Sequence, residues 1–293
     1  MKHTIGLIGA GAMGHAIGTR LLESGSRLNV YDRNPPKVAA LVEKGATGMS
    51  NPAEVGAASG SVILSLNSED AVAEVVFGEA GVLSRAKAGL LVIDMSSVSP
   101  AATRAFSSKA VGMGHAWVDA PLSGGAPKAL TGELTLMLGG EAGDVTAARE
   151  VLSQIASNIT HMGSSGAGQA TKLINQVLCG IGFMAVAEAT ALAEDAGIDV
   201  EKIPGALRGG RADSAILQEY MPRFAARDYR KTGRLDNFIK DLNGAMDLAR
   251  QKNTPVPFTS LSCDVHRIMT RAGYGAEDEA TMIEYYLGPN RKD

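Results

Sequence analysis

Thr4-Ile5-Gly6-Leu7-Ile8-Gly9-Ala10-Gly11-Ala12-Met13-Gly14 is the stretch on which the fold turns. Thr4–Ile8 is a short β-rich run that ends in glycines. Ala12–Glu23 then places Met13, Ile17 and Leu21 at helical spacing. A Gly-x-Gly-x-x-Gly string between a strand and a helix has a physical reading. Gly9 permits the tight turn, Gly11 lets the backbone approach a pyrophosphate, and Gly14 allows the helix to pack closely on the strand. The N–H groups at the helix start, around Ala12 and Met13, face the anion. Asp32 closes the next predicted strand, Leu28–Tyr31, about 20 residues beyond the glycines, where a carboxylate takes the ribose hydroxyl of a dinucleotide. Asp32 favours NAD, because it would repel a 2′-phosphate. Arg33 follows directly and could pair with that phosphate, so NADP stays open; a solvated turn residue is the plainer reading of Arg33.

Working outward, the first half alternates strand and helix signals. A turn at Asn34–Pro36 leads into helix-like Lys37–Lys44. Ser61–Leu66 and Leu90–Asp94 are continuous apolar runs, as in strands buried on both faces. Ser99-Pro100 is a helix start inside Val98–Ala110, and Trp117–Ala120 is a further strand end. This alternation predicts a parallel, right-handed, doubly wound Rossmann-type sheet over residues 1–163. From Gly168 to about Ala196 the chain reads as one proline-free helix, with Leu173, Val177, Ile181, Met184, Ala187 and Ala191 at helical spacing. Val200–Leu207, Ser214–Tyr220, Phe238–Gln251 and Phe258–Ala272 follow as further helical segments. The expected architecture is α/β, with an all-α C-terminal domain over residues 164–293. The long helix carries more apolar residues than one domain needs, which predicts a homo-oligomer, a dimer or a tetramer.

Composition narrows the function. The chain has 293 residues, 45% hydrophobic and 20% charged, with a net charge of −3, so it can bury a core and is not a disordered chain. The absence of dense Lys or Arg runs and the 4% aromatic content argue against nucleic-acid partners. No apolar stretch suggests a membrane span and the N-terminus does not read as a signal segment, so a cytoplasmic protein is expected. Two cysteines, Cys179 and Cys263, exclude a disulfide scaffold and read as reduced, buried residues. The histidines (His3, His15, His115, His161, His266) are scattered, none at metal-ligand spacing, and read as surface or packed residues. No metal is expected, and neither Gly-x-Ser-x-Gly nor Cys-x-x-Cys offers a nucleophile.

Three further stretches carry chemistry. In Asp119-Ala120-Pro121-Leu122-Ser123-Gly124-Gly125, a hydroxyl followed by two glycines can present N–H groups to a carboxylate; an ordinary turn is an equal reading. Gly166-Ala167-Gly168-Gln169-Ala170-Thr171-Lys172 opens the long helix, putting Lys172, Asn175 and Gln176 on neighbouring faces. A lone helical Lys is normally solvated, but one in the first turn is opposed by the helix dipole. A desolvated Lys there can exchange a proton with a substrate oxygen. Lys240-Asp241 reads on chemistry alone as a surface charge pair.

Together, GAGAMG, DAPLSGG, GAGQATKLINQ and IKDL, in that order, resemble the β-hydroxyacid dehydrogenase family over residues 4 to about 287. The resemblance implies that Gly9, Gly11 and Gly14 hold a pyrophosphate and that Asp32 selects the ribose. Ser97 matches a cofactor-contacting Thr, with its hydroxyl retained. Ser123, Gly124 and Gly125 match the loop for the substrate carboxylate. Lys172 matches the catalytic Lys, Asn175 the amide beside it, and Lys240 a Lys near the nicotinamide. The family usually reads Leu-Pro after the Val62–Leu66 strand. Here Leu66-Asn67 lacks the Pro, in a loop that flanks the cofactor. Tyr31-Asp32-Arg33-Asn34, Arg208-Gly209-Gly210 and Arg234-Leu235-Asp236 look most like tartronate semialdehyde (2-hydroxy-3-oxopropionate) reductases. 3-Hydroxyisobutyrate and threonate-type sugar-acid dehydrogenases remain alternatives. A non-catalytic dinucleotide-binding module would lack Lys172 and Asn175.

Overall fold

In a computed structural model the chain is described over residues 4–287, and His3 lies outside the described residues. The first unit alternates β1 (Thr4–Ile8), α1 (Ala12–Glu23), β2 (Arg27–Tyr31), α2 (Pro35–Val42), β3 (Thr47–Gly48), α3 (Pro52–Ala58), β4 (Ser61–Leu64), α4 (Glu69–Phe77), β5 (Leu91–Asp94), α5 (Pro100–Gly112) and β6 (Ala116–Asp119). It continues with β7 (Leu122–Ser123), α6 (Gly125–Thr131), β8 (Leu134–Gly139), α7 (Ala142–Leu152) and β9 (Ala156–Gly163). The long α8 (Ala167–Asp195) leads to α9 (Ile203–Leu207), α10 (Ala215–Ala225), α11 (Leu235–Lys252), α12 (Pro257–Met269) and α13 (Glu284–Leu287). Two compact units meet in the chain between Lys172 and Leu173, inside α8.

The sheet order β3-β2-β1-β4-β5-β6-β8-β7, with β9 beside β8, is parallel from β3 through β6. Successive side chains divide between its two faces, as strand geometry requires. Ile5, Leu7, Ile63, Ile93 and Val118 join Ile17, Leu21, Leu41, Ala148 and Leu152 of α1, α2 and α7 on one side. Ile8, Val62, Leu64, Val92 and Trp117 join Val55, Val72, Val76 and Ala110 of α3, α4 and α5 on the other. Both faces are covered, and this is why the strands read as unbroken apolar runs. Trp117 is 1% exposed and stacks on Phe77 at 6.2 Å.

The sheet departs from the wholly parallel array expected. β8 runs antiparallel to β6 and β7, with Leu122 opposite Leu136. The segment after β6 runs through β7, which pairs antiparallel with β8, and the short helix α6, whose Ala129 packs in the core beside α1. β8 and β9 went unread in the sequence. β9 sits at the end of the sheet with most of its residues exposed, so it carries no apolar alternation.

In the second unit, α8 buries Phe183, Val186, Ala187 and Ala191 among Leu217, Phe224, Leu235, Met269 and Ile283. By length and composition α8 is long and apolar enough to cross a membrane, contrary to the expectation that no such stretch exists. These core contacts account for much of its apolar content. α10 continues through Pro222 to Ala225, beyond the predicted end at Tyr220, because Met221 and Phe224 are buried beyond the lost backbone hydrogen bond. Cys263 is buried as expected, whereas Cys179 is only half-buried.

β5 and β6 end in register on two carboxylates, Asp94 and Asp119. Asp94 is fully buried: its Oδ1 accepts the Ser96 N–H at 3.0 Å, and its Oδ2 has no hydrogen-bond partner among the described residues. Burial pushes the Asp94 carboxyl up to about 7, against the Ser96 hydrogen bonds and with help from the Asp119 charge. A carboxyl whose pKa is raised by folding holds its proton in the folded state where the unfolded chain has lost it. Its contribution to stability therefore falls as pH rises from about 4 towards 7. Asp94→Asn should flatten the decline in denaturant stability between about pH 4 and pH 7. Equal pH slopes for variant and parent would show that Asp94 is not held neutral.

Candidate active site

The carboxyl ends of β1, β2, β4, β5 and β6 carry the loops singled out in the sequence. The strand order reverses between β1 and β4, the switch point where open α/β sheets bind ligands. Gly9 has φ +93°, and its N–H donates to Tyr31 O at 3.0 Å. A Cβ on Gly9 would lie 2.2 Å from Ser65 O, and one on Gly14 would lie 1.8 Å from Gly9 O. These two glycines are demanded by the protein itself. Gly11 is different, because a Cβ there would meet nothing within 4 Å. The chain thus leaves open space at the N-terminus of α1, where Gly11 caps the helix without a side-chain hydrogen bond and no acidic residue occupies the first turn. The first-turn N–H groups, at Ala12, Met13 and Gly14, have no intrahelical acceptor. They suit a phosphate.

Asp32 is half-buried against this turn. Its Oδ2 accepts the Ala10 N–H at 2.7 Å and its Oδ1 the Asn34 N–H at 2.8 Å. Its carboxylate is therefore oriented by the Gly-rich turn, with lone pairs to spare for hydroxyls. Arg33 is exposed. An open glycine, a helix N-terminus without side-chain capping and a fixed carboxylate together fit a dinucleotide.

Beyond β4 the loop without proline is pinned by its neighbours. Leu66 N–H donates to Ser96 Oγ at 3.0 Å, Ser68 caps α4 through the Ala71 N–H, and Glu69 Oε1 accepts the Ser99 N–H at 2.8 Å. Asn67 and Ser97 are exposed on these adjacent loops. Ser123 is half-buried at the end of β7, and Gly124 and Gly125 follow with φ +118° and +70° at the start of α6. A Cβ at Gly124 would lie 2.9 Å from Lys128 Cβ, so glycine is required there.

The residues that seat α8 lie in two of the stretches singled out in the sequence, where they carried no role of their own. Asp119, wholly buried, accepts the Gly166 N–H on Oδ1 at 2.8 Å and the Gln169 N–H on Oδ2 at 3.0 Å. Burial raises its pKa, and hydrogen bonds from Gly166, Gln169 and Gly168 act against that rise. A Cβ on Gly168 would fall 2.3 Å from Met137 O and 2.7 Å from Asp119 Oδ2, so the helix start rests directly on the strands. Gln169 Nε2 also donates to Ser96 O at 2.7 Å. The only sequence signal was an acid closing a buried strand ahead of a glycine-rich helix start.

Lys172 and Asn175 are both half-buried, one turn apart on α8. Lys172 stands in the second turn, not the first as expected, since it is the sixth residue of a helix that begins at Ala167. In the second unit, Asn175 Nδ2 donates to Gln176 Oε1 at 3.0 Å and Gln176 Nε2 to Asp241 Oδ2 at 2.7 Å. Asp241 therefore receives a buried amide, which the reading of Lys240-Asp241 as a surface charge pair did not foresee. Lys240 itself is exposed.

Known proteins match throughout this frame. A family profile described as the NAD binding domain of 6-phosphogluconate dehydrogenase matches residues 4–163. One described as NAD-binding of NADP-dependent 3-hydroxyisobutyrate dehydrogenase matches residues 166–286. L-Threonate dehydrogenase of Cupriavidus necator is 31% identical, covering 98% of this chain and 97% of its own. 2-(Hydroxymethyl)glutarate dehydrogenase of Eubacterium barkeri is 34% identical, covering 96% and 94%. Mycobacterium tuberculosis 3-hydroxyisobutyrate dehydrogenase, solved with L-serine, superposes with a TM-score of 0.90 at 27% identity, covering 98% of this chain and 100% of its own. With the glycine turn, Asp32 and the helical second half in place, the chain belongs to the β-hydroxyacid dehydrogenase family and is an NAD(P)-dependent oxidoreductase.

Proposed function

We propose that this dehydrogenase interconverts a small β-hydroxy acid and its semialdehyde, with tartronate semialdehyde as the first candidate and NAD as the preferred dinucleotide. One observation carries the reading: Lys172 is half-buried on a helix whose first turn is fastened to the loop ends beside the dinucleotide turn. Gly9, Gly11, Ala12, Met13 and Gly14 would hold the pyrophosphate, Asp32 the ribose, and Asn67, Ser97 and Lys240 further parts of the dinucleotide. When bound, the nicotinamide supplies hydride exchange. Ser123, Gly124 and Gly125 bind the substrate carboxylate through a hydroxyl and backbone N–H groups. Lys172 Nζ gives a proton to the carbonyl oxygen in reduction and takes it back from the hydroxyl in oxidation. Asn175 orients the substrate beside it. The likeness to L-threonate and 3-hydroxyisobutyrate dehydrogenases supports the alternatives, which share this carboxylate and hydroxyl chemistry.

A panel of small hydroxy acids and semialdehydes, assayed with both dinucleotides by nicotinamide absorbance, tests the substrate. Tartronate semialdehyde should give the highest kcat/KM, and a higher value for threonate or 3-hydroxyisobutyrate would replace it. Lys172→Ala should lower kcat by about 10²–10⁴-fold; near-parental turnover would remove Lys172 from the mechanism. Asp32→Asn should cut the NAD-over-NADP ratio of kcat/KM by about 10–100-fold, the worth of a hydrogen bond to a charged group. An unchanged ratio would place selection elsewhere. On α8, Ile174, Leu178 and Leu192 are more than half exposed, which supports assembly into a dimer or tetramer. Light scattering should give at least twice the chain mass, and a single-chain mass would refute assembly.

A further inference from the structure

We infer that Asp119, acting with Gln169, is a positioning residue that sets the register of the Lys172 helix against the dinucleotide loops. The inference rests on Lys172 being the proton-transfer group. A helix start normally leaves its first N–H groups to water or to a neighbouring cap. Here the acceptor comes from 47 residues earlier in the chain: Asp119 takes the Gly166 N–H at 2.8 Å and the Gln169 N–H at 3.0 Å, one on each carboxylate oxygen. The two contacts fix rotation of the helix about its axis as well as its position, because they are made by residues nearly one turn apart.

Gln169 carries the same register to the next strand. Its side-chain amide, 2% exposed on the residue, donates to Ser96 O at 2.7 Å. Ser96 Oγ in turn accepts the Leu66 N–H at 3.0 Å, and the Ser96 N–H meets Asp94. The ends of β4, β5 and β6 are thereby tied to one residue of α8. Lys172 lies three positions beyond Gln169, so any rotation or slide of the first turn moves its ammonium. No slack exists, since Gly168 and Gly139 already bring backbone to within side-chain contact of Asp119. Proton transfer depends on reach and alignment, and a misplacement of about 1 Å can cost about 10²-fold in rate.

The test uses the full-length enzyme with its best panel substrate. Asp119→Asn should lower kcat by about 10²-fold, with the Kd for reduced dinucleotide, read by nicotinamide fluorescence, within about twofold of the parent. Combining Asp119→Asn with Lys172→Ala should cost no more than Lys172→Ala alone, because the two act through one group. Gln169→Met keeps the Asp119 contacts but cuts the tie to Ser96. It should lower kcat by about tenfold, one hydrogen bond's worth, and it carries the test if Asp119→Asn does not fold. Multiplying losses in the double variant, or parental kcat in a folded Asp119→Asn or in Gln169→Met beside an impaired Lys172→Ala, overturns the positioning role alone. Parental turnover in Lys172→Ala itself overturns the proton-transfer assignment and this inference with it.

Discussion

A buried carboxylate meeting a helix N-terminus is the constraint on which the arrangement of the first unit depends. Asp119 is fully removed from solvent, a costly place for a charge unless donors surround it. The opening of α8 supplies those donors, and the partial positive charge there favours an anion. Each side satisfies the other: the helix gains a cap that its own sequence does not provide, and the acid gains the hydrogen bonds that let it stay inside.

The same pair explains the glycine spacing at the start of α8. Gly168 admits the helix to the strand ends, and Gly139 leaves room for the carboxylate. Asp94, its register partner, sits without this compensation and is pushed towards neutrality. Burial raises the pKa of both acids, and they differ in the N–H groups that act against that rise: Gly166, Gln169 and Gly168 at Asp119, Ser96 at Asp94. At the other side of the sheet, Asp32 reaches the same kind of solution with the Ala10 and Asn34 N–H groups.

The second unit buries an acid among N–H donors too. Asp278, also wholly buried, is desolvated, yet hydrogen bonds from Thr232, Ala280 and Gly233 outweigh that and hold it below the usual carboxylate range. It also receives Arg223, at 2.9 Å. This cluster fastens the segment that leads into α11, the helix carrying Lys240.

How much of this was legible follows from the kind of signal each part leaves. The glycine turn, Asp32, the doubly covered strands and the long helix are local patterns, because spacing, chirality and burial on both faces act within a few residues. They determined the fold class and the dinucleotide chemistry from the sequence by itself. The antiparallel return of β8, the exposed β9 and the helix continuing past Pro222 depend on what lies across the sheet or in the core, and short-range periodicity is silent there. Only the tertiary structure decided that Asp119 caps α8, that Gln169 joins Ser96 and that Gln176 takes Asp241. The physical reason is that a hydrogen bond between distant residues costs no local preference in either segment, so neither segment's sequence records its partner.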